Sequence, residues 1–307
     1  MTARRRTVVA AVSLVAATIF WAGNYVVGAA AVETIDPVSL VLLRWLIAVG
    51  PLLLIAQLVE RPRWRVVLRS WPRLLLLAGL GLLGYNLLLY SALQFTDAFD
   101  ASLITAFNPA LIVIAAAVFL RERLTATGVA GILLALVGVL VVLSDGDPAA
   151  LLRTGFGAGD LLMLGALVAW TGYTIVGRRT TGIPPITSTA VQAVFTIAVL
   201  VPVSLVLGGP TLPATPGVWA ALVFIGVFPS VLSYLLWNRA LTEIPPARAG
   251  VFLNLITVFT AAFTILAGHP FTPAQLIGGL IVIAGVALAN ERAFRTPRPA
   301  PAPPPAQ

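Results

Sequence analysis

The sequence contains no cysteine, a single histidine and very little charge. Without cysteine the chain has no disulfide, no thiolate metal ligand and no cysteine nucleophile, and His269 alone cannot build a zinc site. Charged residues make up 10% of the 307 residues, whereas soluble domains average about 25%. Hydrophobic residues make up 59%. Lipid must therefore solvate most of the protein surface, and we expect neither a metal nor a cofactor.

The basic excess is made of arginine alone. All 19 basic residues are arginine, and they give a net charge of +8. In a chain this apolar, a basic excess is first a signal of membrane orientation. The arginines do not form the clustered stripe that contacts nucleic acid. The expected partners are therefore the lipid bilayer and a small-molecule substrate, and the sequence is compatible with a monomer without fixing the oligomeric state.

Ten apolar stretches are each long enough to cross a hydrocarbon core of about 30 Å. Short links that carry turn and helix-breaking residues separate them. This pattern predicts an all-α integral membrane protein with ten transmembrane helices. The stretches lie near residues 7–28, 38–58, 74–94, 99–119, 126–143, 158–177, 186–207, 217–238, 247–267 and 273–290.

Charge predicts how these spans are oriented. If the N-terminus is cytoplasmic, every arginine except Arg44 and Arg153 falls in a cytoplasmic segment, while acidic residues such as Asp36 and Asp145 fall outside. Cytoplasmic loops of membrane proteins are enriched in basic residues. We therefore predict that both termini lie in the cytoplasm.

The chain repeats itself. Trp21–Gly28 matches Trp170–Gly177 at an offset of 149, and Gly131 and Gly138 fall on Gly278 and Gly285 at an offset of 147. One five-span unit used twice must enter the membrane from opposite sides, which gives the inverted repeat of many transport folds. We expect a first repeat over residues 1–143, an external linker over 144–157, a second repeat over 158–293, and a disordered, Pro-rich cytoplasmic tail over 294–307.

Polar and aromatic side chains share faces of particular spans. Trp21, Asn24 and Tyr25 follow helical spacing on the first span, and Trp170 and Tyr173 do so on the sixth. Polar groups in lipid collect where helices face each other or water. We predict a central cavity between spans 1, 3, 4, 6, 8 and 9, although interhelical packing would also explain such residues. The cavity candidates are Trp21, Asn24, Tyr25, Tyr85, Asn86, Tyr90, Asn108, Trp170, Tyr173, Ser230, Tyr234, Trp237, Asn238 and Asn254.

Arg44 is the one charge clearly within a span, and its counterpart in the second repeat is Gln192. Two roles stay open: a structural one, such as capping carbonyl groups, and contact with a substrate carboxylate. Helix breakers are candidate hinges for alternating access, or else fixed kinks. The hinge candidates are Gly79, Gly81, Gly84, Pro109, Pro229 and Pro245.

Several motifs carry a resemblance to a known family. They are the segments at residues 21–24 (WAGN), 43–45 (LRW), 108–109 (NP), 120–125 (LRERLT) and 131–138. The chain resembles, over both halves, the EamA family of the drug/metabolite transporter superfamily. It departs from that family at Ile256, Thr257 and the segment Gly268–Pro270. The resemblance implies a ten-helix exporter of amino acids or other metabolites in the inner membrane of a bacterial-type cell, and not an enzyme.

The predicted cavity indicates the kind of solute. Stacking rings with sparse amides suit a bulky, partly apolar, net-neutral molecule, which favours aromatic or other bulky amino acids. A nucleotide-sugar or sugar-phosphate carrier, which needs several intramembrane cations, and a multidrug exporter are the alternatives. An intramembrane enzyme would need a nucleophile with a base or a metal set, and His269 supplies neither.

Overall fold

The computed structural model describes residues 3–119, 121, 126–144, 146–147, 149, 157–178, 182–241, 243–244, 250–268 and 272–289, and all regular structure in these ranges is helical. The main helices are α1 (Ala3–Ala31), α2 (Pro37–Glu60), α3 (Trp71–Ala92), α4 (Ala98–Phe119), α5 (Ala126–Leu143), α6 (Ala158–Arg178), α7 (Pro185–Val206), α8 (Pro216–Ala240), α9 (Gly250–Leu266) and α10 (Pro273–Ala289). A short surface helix, Trp64–Arg69, joins α2 to α3.

Seven of these helices are long and apolar enough to cross a membrane, namely α1 to α4 and α6 to α8. The apolar parts of α5, α9 and α10 are shorter. The protein is therefore a multi-pass, all-helical membrane protein. The count of ten spans and the cytoplasmic placement of both termini stay predictions.

Side-chain caps explain where several helices begin. Asp36 precedes Pro37 at the start of α2, and its carboxylate accepts a hydrogen bond from Ser39 N. Asp97 does the same for Asp100 N at the start of α4. These caps satisfy backbone N–H groups that have no partner within the helix.

A carboxylate from another helix caps α7. Its N-cap residue, Pro184, has no side-chain cap, and Glu60 at the end of α2 takes that role. Glu60 Oε1 accepts from Ile186 N at 2.9 Å, and Oε2 accepts from Thr187 N at 2.7 Å and from Thr187 Oγ1 at 2.6 Å. At the start of α2, Asp36 accepts from Thr211 Oγ1 at 2.8 Å, in the link that follows α7. The end of α2 is thus tied to the start of α7, and the start of α2 is tied to the link after α7.

Helices α5 and α10 pack through glycine. An added Cβ on Gly138 would lie 2.6 Å from Val282 N, and one on Gly278 would lie 2.8 Å from the Gly138 oxygen. A Cβ on Gly285 would likewise collide with Ala135 N. The two backbones approach this closely only because these positions carry no side chain.

Helices at equivalent positions of the two halves share contacts and irregularities. α1 contacts α8 and α9, and α6 contacts α3 and α4. α3 contains a π-helical segment at Ala78–Tyr85 and α8 contains one at Phe228–Leu232. α4 is interrupted by a turn at residues 106–107, and α9 begins as a 3₁₀ segment, Gly250–Asn254. These two pairs of helices, which the predicted repeat makes equivalent, are thus irregular at similar positions, and the repeat itself stays a prediction.

Candidate functional site

A buried arginine network lies where α1, α2, α3 and α8 meet. Arg44 is only 4% exposed. Its Nε donates to Ser230 Oγ at 2.6 Å, and its Nη1 donates to Asn86 Oδ1 at 2.7 Å and to Tyr90 OH at 2.8 Å. A longer bond of 3.5 Å joins Nη1 to Asn24 Oδ1, which also accepts from Tyr90 OH at 2.7 Å. All these partners are neutral, and hydrogen bonding of this kind offsets part of the cost of burying a cation.

The π-helical segments orient two of the acceptors. A π-helical turn leaves backbone carbonyls for side chains to satisfy. Asn86 Nδ2 donates to Leu82 O at 2.8 Å and to Gly81 O at 3.3 Å, which turns its amide oxygen toward Arg44. Ser230 Oγ donates to Ile225 O at 2.7 Å, so its oxygen accepts from the guanidinium. The irregular helices thus build the polar shell around Arg44.

One edge of the guanidinium has no acceptor among the described residues. Arg44 Nη2 makes no hydrogen bond to them, and this atom is not fully buried. Arg44 lines a cavity. Guanidinium has five N–H donors in a rigid fork, so the two on Nη2 remain available to a further partner.

The cavity lies at the meeting point of the two halves and has a volume of about 90 Å³. Among its described lining residues, Arg44 is the one that carries a charge. The lining consists of Trp21, Asn24, Tyr25, Arg44, Tyr85, Asn86, Ser102, Thr105, Ala106, Asn108, Pro109, Ile112, Trp170, Tyr234, Leu253, Asn254, Ile256 and Thr257.

Aromatic rings form two groups beside the cavity. In one, the Trp21 ring lies 5.9 Å from Tyr234 and 5.4 Å from Trp237. In the other, Trp170 lies 5.0 Å from Tyr85 and 5.1 Å from Tyr173. Ring pairs at these separations attract each other and hold one another in place. The cavity is therefore bordered by preorganised aromatic surfaces from both halves.

Hydroxyl groups connect the walls. Tyr25 OH donates to Thr105 Oγ1 at 2.8 Å and lies 3.1 Å from Tyr85 OH. Thr171 Oγ1 donates to Asn108 Oδ1 at 3.3 Å. These bonds join α1 to α3 and α4, and α6 to α4. The cavity wall is thus polar where helices meet and aromatic between those points.

Nine of the fourteen predicted cavity residues line this cavity, and the other five do not. Tyr90 and Ser230 stand behind the wall and hold Arg44, while Tyr173 and Trp237 pack behind Trp170 and Trp21. Asn238 is half-buried on α8 and does not line the cavity. The lining residues outside the candidate list are the polar Ser102, Thr105 and Thr257 and the apolar Ala106, Ile112, Leu253 and Ile256. The three polar residues follow helical spacing with Asn108 and Asn254, whereas the signal for the apolar ones is only their position next to polar residues on α4 and α9.

The hinge candidates fall at irregular backbone. Gly79, Gly81 and Gly84 lie in the π-helical segment of α3, and Pro229 lies in that of α8. Pro109 follows the interruption of α4 and lines the cavity. Pro245 lies outside the described residues, and so do His269 and residues 290–307. Whether these positions bend stays a prediction.

Comparison with known proteins gives a consistent family. A model of the EamA-like transporter family matches residues 8–144 and again residues 157–290. The uncharacterized transporter YyaM of Bacillus subtilis is 30% identical over 91% of this chain and 92% of its own length. A probable terminal-alkyne amino-acid exporter of Streptantibioticus cattleyicolor is 30% identical, with 84% and 82% covered.

Two more distant matches complete the comparison. The aromatic amino acid exporter YddG of Ancylobacter novellus is 27% identical over 75% of this chain and 79% of its own. A solved crystal structure shares the fold with a TM-score of 0.67 at 24% identity, covering 95% of this chain and 99% of that one. The chain belongs to the EamA-like transporter family of the drug/metabolite superfamily, and is a membrane transporter.

Proposed function

We propose that this transporter exports aromatic or other bulky amino acids across the inner membrane, by alternating access through the central cavity. The observation that carries the proposal is the open edge of Arg44. Its Nε and Nη1 are fixed by neutral partners, Nη2 has no partner among the described residues, and Arg44 lines a cavity bordered by rings. The two N–H groups of Nη2 can donate charge-assisted hydrogen bonds to a carboxylate. A solute that joins a carboxylate to a bulky apolar group fits this arrangement.

The relatives support an amino-acid substrate. Two of them bear the names of amino-acid exporters, one for aromatic amino acids and one for a terminal-alkyne amino acid. Both names refer to amino acids, which carry a carboxylate, and one refers to an aromatic side chain. The ring groups of Trp21 and Trp170 provide surfaces on which such a side chain stacks.

A sugar-phosphate or nucleotide-sugar carrier is the weaker candidate. A phosphate group carries up to two negative charges and is bound by several cations or by helix N-termini. Among the described lining residues of the cavity, Arg44 alone is cationic. A multidrug exporter would use the same rings without needing Arg44. The charge requirement of the substrate therefore separates the three functions.

The test is flux into liposomes that contain the purified protein. Labelled phenylalanine, tryptophan and tyrosine should move down a gradient, and protein-free liposomes give the background. Movement of a phosphorylated sugar without any movement of the three amino acids would overturn the substrate assignment.

The membrane arrangement has its own test. We propose two inverted five-helix repeats with both termini in the cytoplasm, so the link at Arg65 is inside and the link at Leu212 is outside. Both side chains are exposed, and the chain has no native cysteine. A membrane-impermeant thiol reagent applied to intact cells should label Leu212→Cys and spare Arg65→Cys. Labelling of both variants from one side would contradict the inverted arrangement.

A further inference from the structure

We infer that the cavity selects its solute by a carboxylate and an aromatic ring, and that an α-ammonium group adds little to binding. The substrate class is then aromatic monocarboxylates as a whole, with amino acids as one subset. This inference rests on the proposed function of the same cavity. It follows from a difference between the two binding groups that a zwitterion meets: a guanidinium for its carboxylate, and only neutral groups for its ammonium.

The guanidinium of Arg44 is a fixed positive charge that can bind the negative charge of a solute. Neutral partners hold the guanidinium of Arg44 at Nε and Nη1, so the ion is oriented but not neutralised. No described acidic residue lies within salt-bridge distance of it or lines the cavity. A buried cation without a counter-ion binds an anion strongly, because the charges interact in a medium of low polarity. The carboxylate therefore supplies the missing charge.

None of the described lining residues is acidic, and the groups left to face a positive charge are neutral amide and hydroxyl oxygens and rings. The oxygens of Asn24 and Asn86 already accept hydrogen bonds from Arg44, and the oxygen of Asn108 accepts one from Thr171. Asn254 is a lining amide for which the structure gives no hydrogen bond. A neutral amide and ring faces interact only weakly with an ammonium group compared with a carboxylate. Loss of the ammonium group should therefore cost little binding.

Net charge favours the same conclusion. A zwitterion leaves the cavity with the charge of Arg44 still uncompensated, whereas a monocarboxylate makes the occupied cavity neutral. An ammonium group placed there would also be repelled by the guanidinium and would lose its own hydration. The anion should therefore bind at least as tightly as the corresponding amino acid, and the corresponding amine should bind poorly.

Three phenyl compounds of matched size separate the contributions. We would measure their binding to the purified full-length protein by thermal stabilisation and by competition with labelled phenylalanine. 3-Phenylpropionate carries only the carboxylate, phenethylamine carries only the ammonium group, and phenylalanine carries both. We expect 3-phenylpropionate to compete within about threefold of phenylalanine or better, and phenethylamine to compete at least tenfold less well, as the loss of a hydrogen bond to a charged group implies.

The Arg44→Gln variant tests the residue responsible. It should remove the preference for 3-phenylpropionate over phenethylamine, while Arg69→Gln, which removes an exposed charge far from the cavity, should keep it. If Arg44→Gln does not yield folded protein, the three compounds measured on the native protein still decide the question.

The outcomes distinguish this inference from the proposed function. If phenylalanine binds and 3-phenylpropionate does not, the amine is required and the inference fails while amino-acid export stands. If phenethylamine competes best, ring attraction for cations dominates, and both the carboxylate assignment and the inference fail. If none of the three compounds binds, the cavity is not an aromatic solute site and both proposals fall.

Discussion

The helices α2 and α7, which the predicted repeat pairs, carry different polar residues at one buried position. α2 carries Arg44, which meets four polar side chains from three other helices. α7 carries Gln192 at the equivalent position, where Nε2 donates to Ser188 on the same helix and Oε1 has no partner in the described structure. The same backbone position thus supports a charged network in one half and a neutral side chain in the other.

The residues around Arg44 and those around Gln192 also differ in polarity. Asn24, which accepts from Arg44, corresponds to Tyr173 at the repeat offset of 149. In the second environment the Tyr173 ring lies against Gly81, where a Cβ would come within 2.5 Å of the ring. One half therefore provides hydrogen-bond acceptors and the other provides an aromatic surface. If the two halves are repeats, differences at equivalent positions make one side of the cavity polar and the other side aromatic.

The largest expected effect on transport comes from giving α2 the residue that α7 carries. Arg44→Gln places on α2 the residue that α7 already buries, so the variant should fold. It removes the only described charge of the cavity, and the loss of charged hydrogen bonds of about 1.5–3 kcal/mol should lower substrate affinity roughly ten- to a hundredfold. The measurement is phenylalanine flux in liposomes, with Arg69→Gln as the control for lost positive charge. Unchanged flux would remove Arg44 from substrate binding.

A second variant disturbs the aromatic end. Gly81→Ala adds a Cβ against the Tyr173 ring, and crowding of this kind costs about 1–3 kcal/mol of stability. Gly79→Ala is the matched control, because it lies in the same π-helical segment and a Cβ there meets nothing within 4 Å. We expect a lower melting temperature for Gly81→Ala alone, and recovery in the Gly81→Ala, Tyr173→Ala double variant. Equal melting temperatures for the two glycine variants would contradict the packing argument.

Sequence patterns predict the helices and most of the cavity wall because both follow from hydrophobic length and helical spacing. Trp21, Asn24 and Tyr25 share a face whatever the neighbouring helix does. Patterns do not predict that Ser230 and Tyr90 stand behind the wall as partners of Arg44, since this depends on how helices distant in sequence meet. Glycine and proline residues in the sequence predict where these helices are irregular. That these segments are π-helical, and that Asn86 satisfies their carbonyls, follows only from the packed structure.

The carboxylates at the two ends of α2, Glu60 and Asp36, allow a test with a smaller expected effect on stability. Glu60 caps α7 from the end of α2 through three hydrogen bonds, whereas Asp36 caps its own helix. Glu60→Ala leaves two backbone N–H groups of α7 without that cap and should lower stability by about 0.5–2 kcal/mol, the range for lost helix caps. Glu33→Ala, at an exposed position, is the control. Thermal unfolding in detergent should separate the two variants, and equal curves would mean that the contact from α2 does not stabilise α7.

The smallest expected effect is a pH dependence at Asp36. Burial raises the pKa of this carboxyl. Hydrogen bonds from Ser39 and Thr211 together lower the pKa by more than burial raises it, so the pKa lies below the ordinary value of 3.8. A lowered pKa stabilises the folded state above the pKa of the unfolded chain, and that contribution disappears as the pH falls below about 4 toward the lowered pKa. Asp36→Asn should therefore flatten the decline of melting temperature in this range and leave the melting temperature at pH 7 reduced. A decline as steep in Asp36→Asn as in the native protein would assign the acid sensitivity to other carboxylates, and the end of α2 would then contribute no pH dependence of its own.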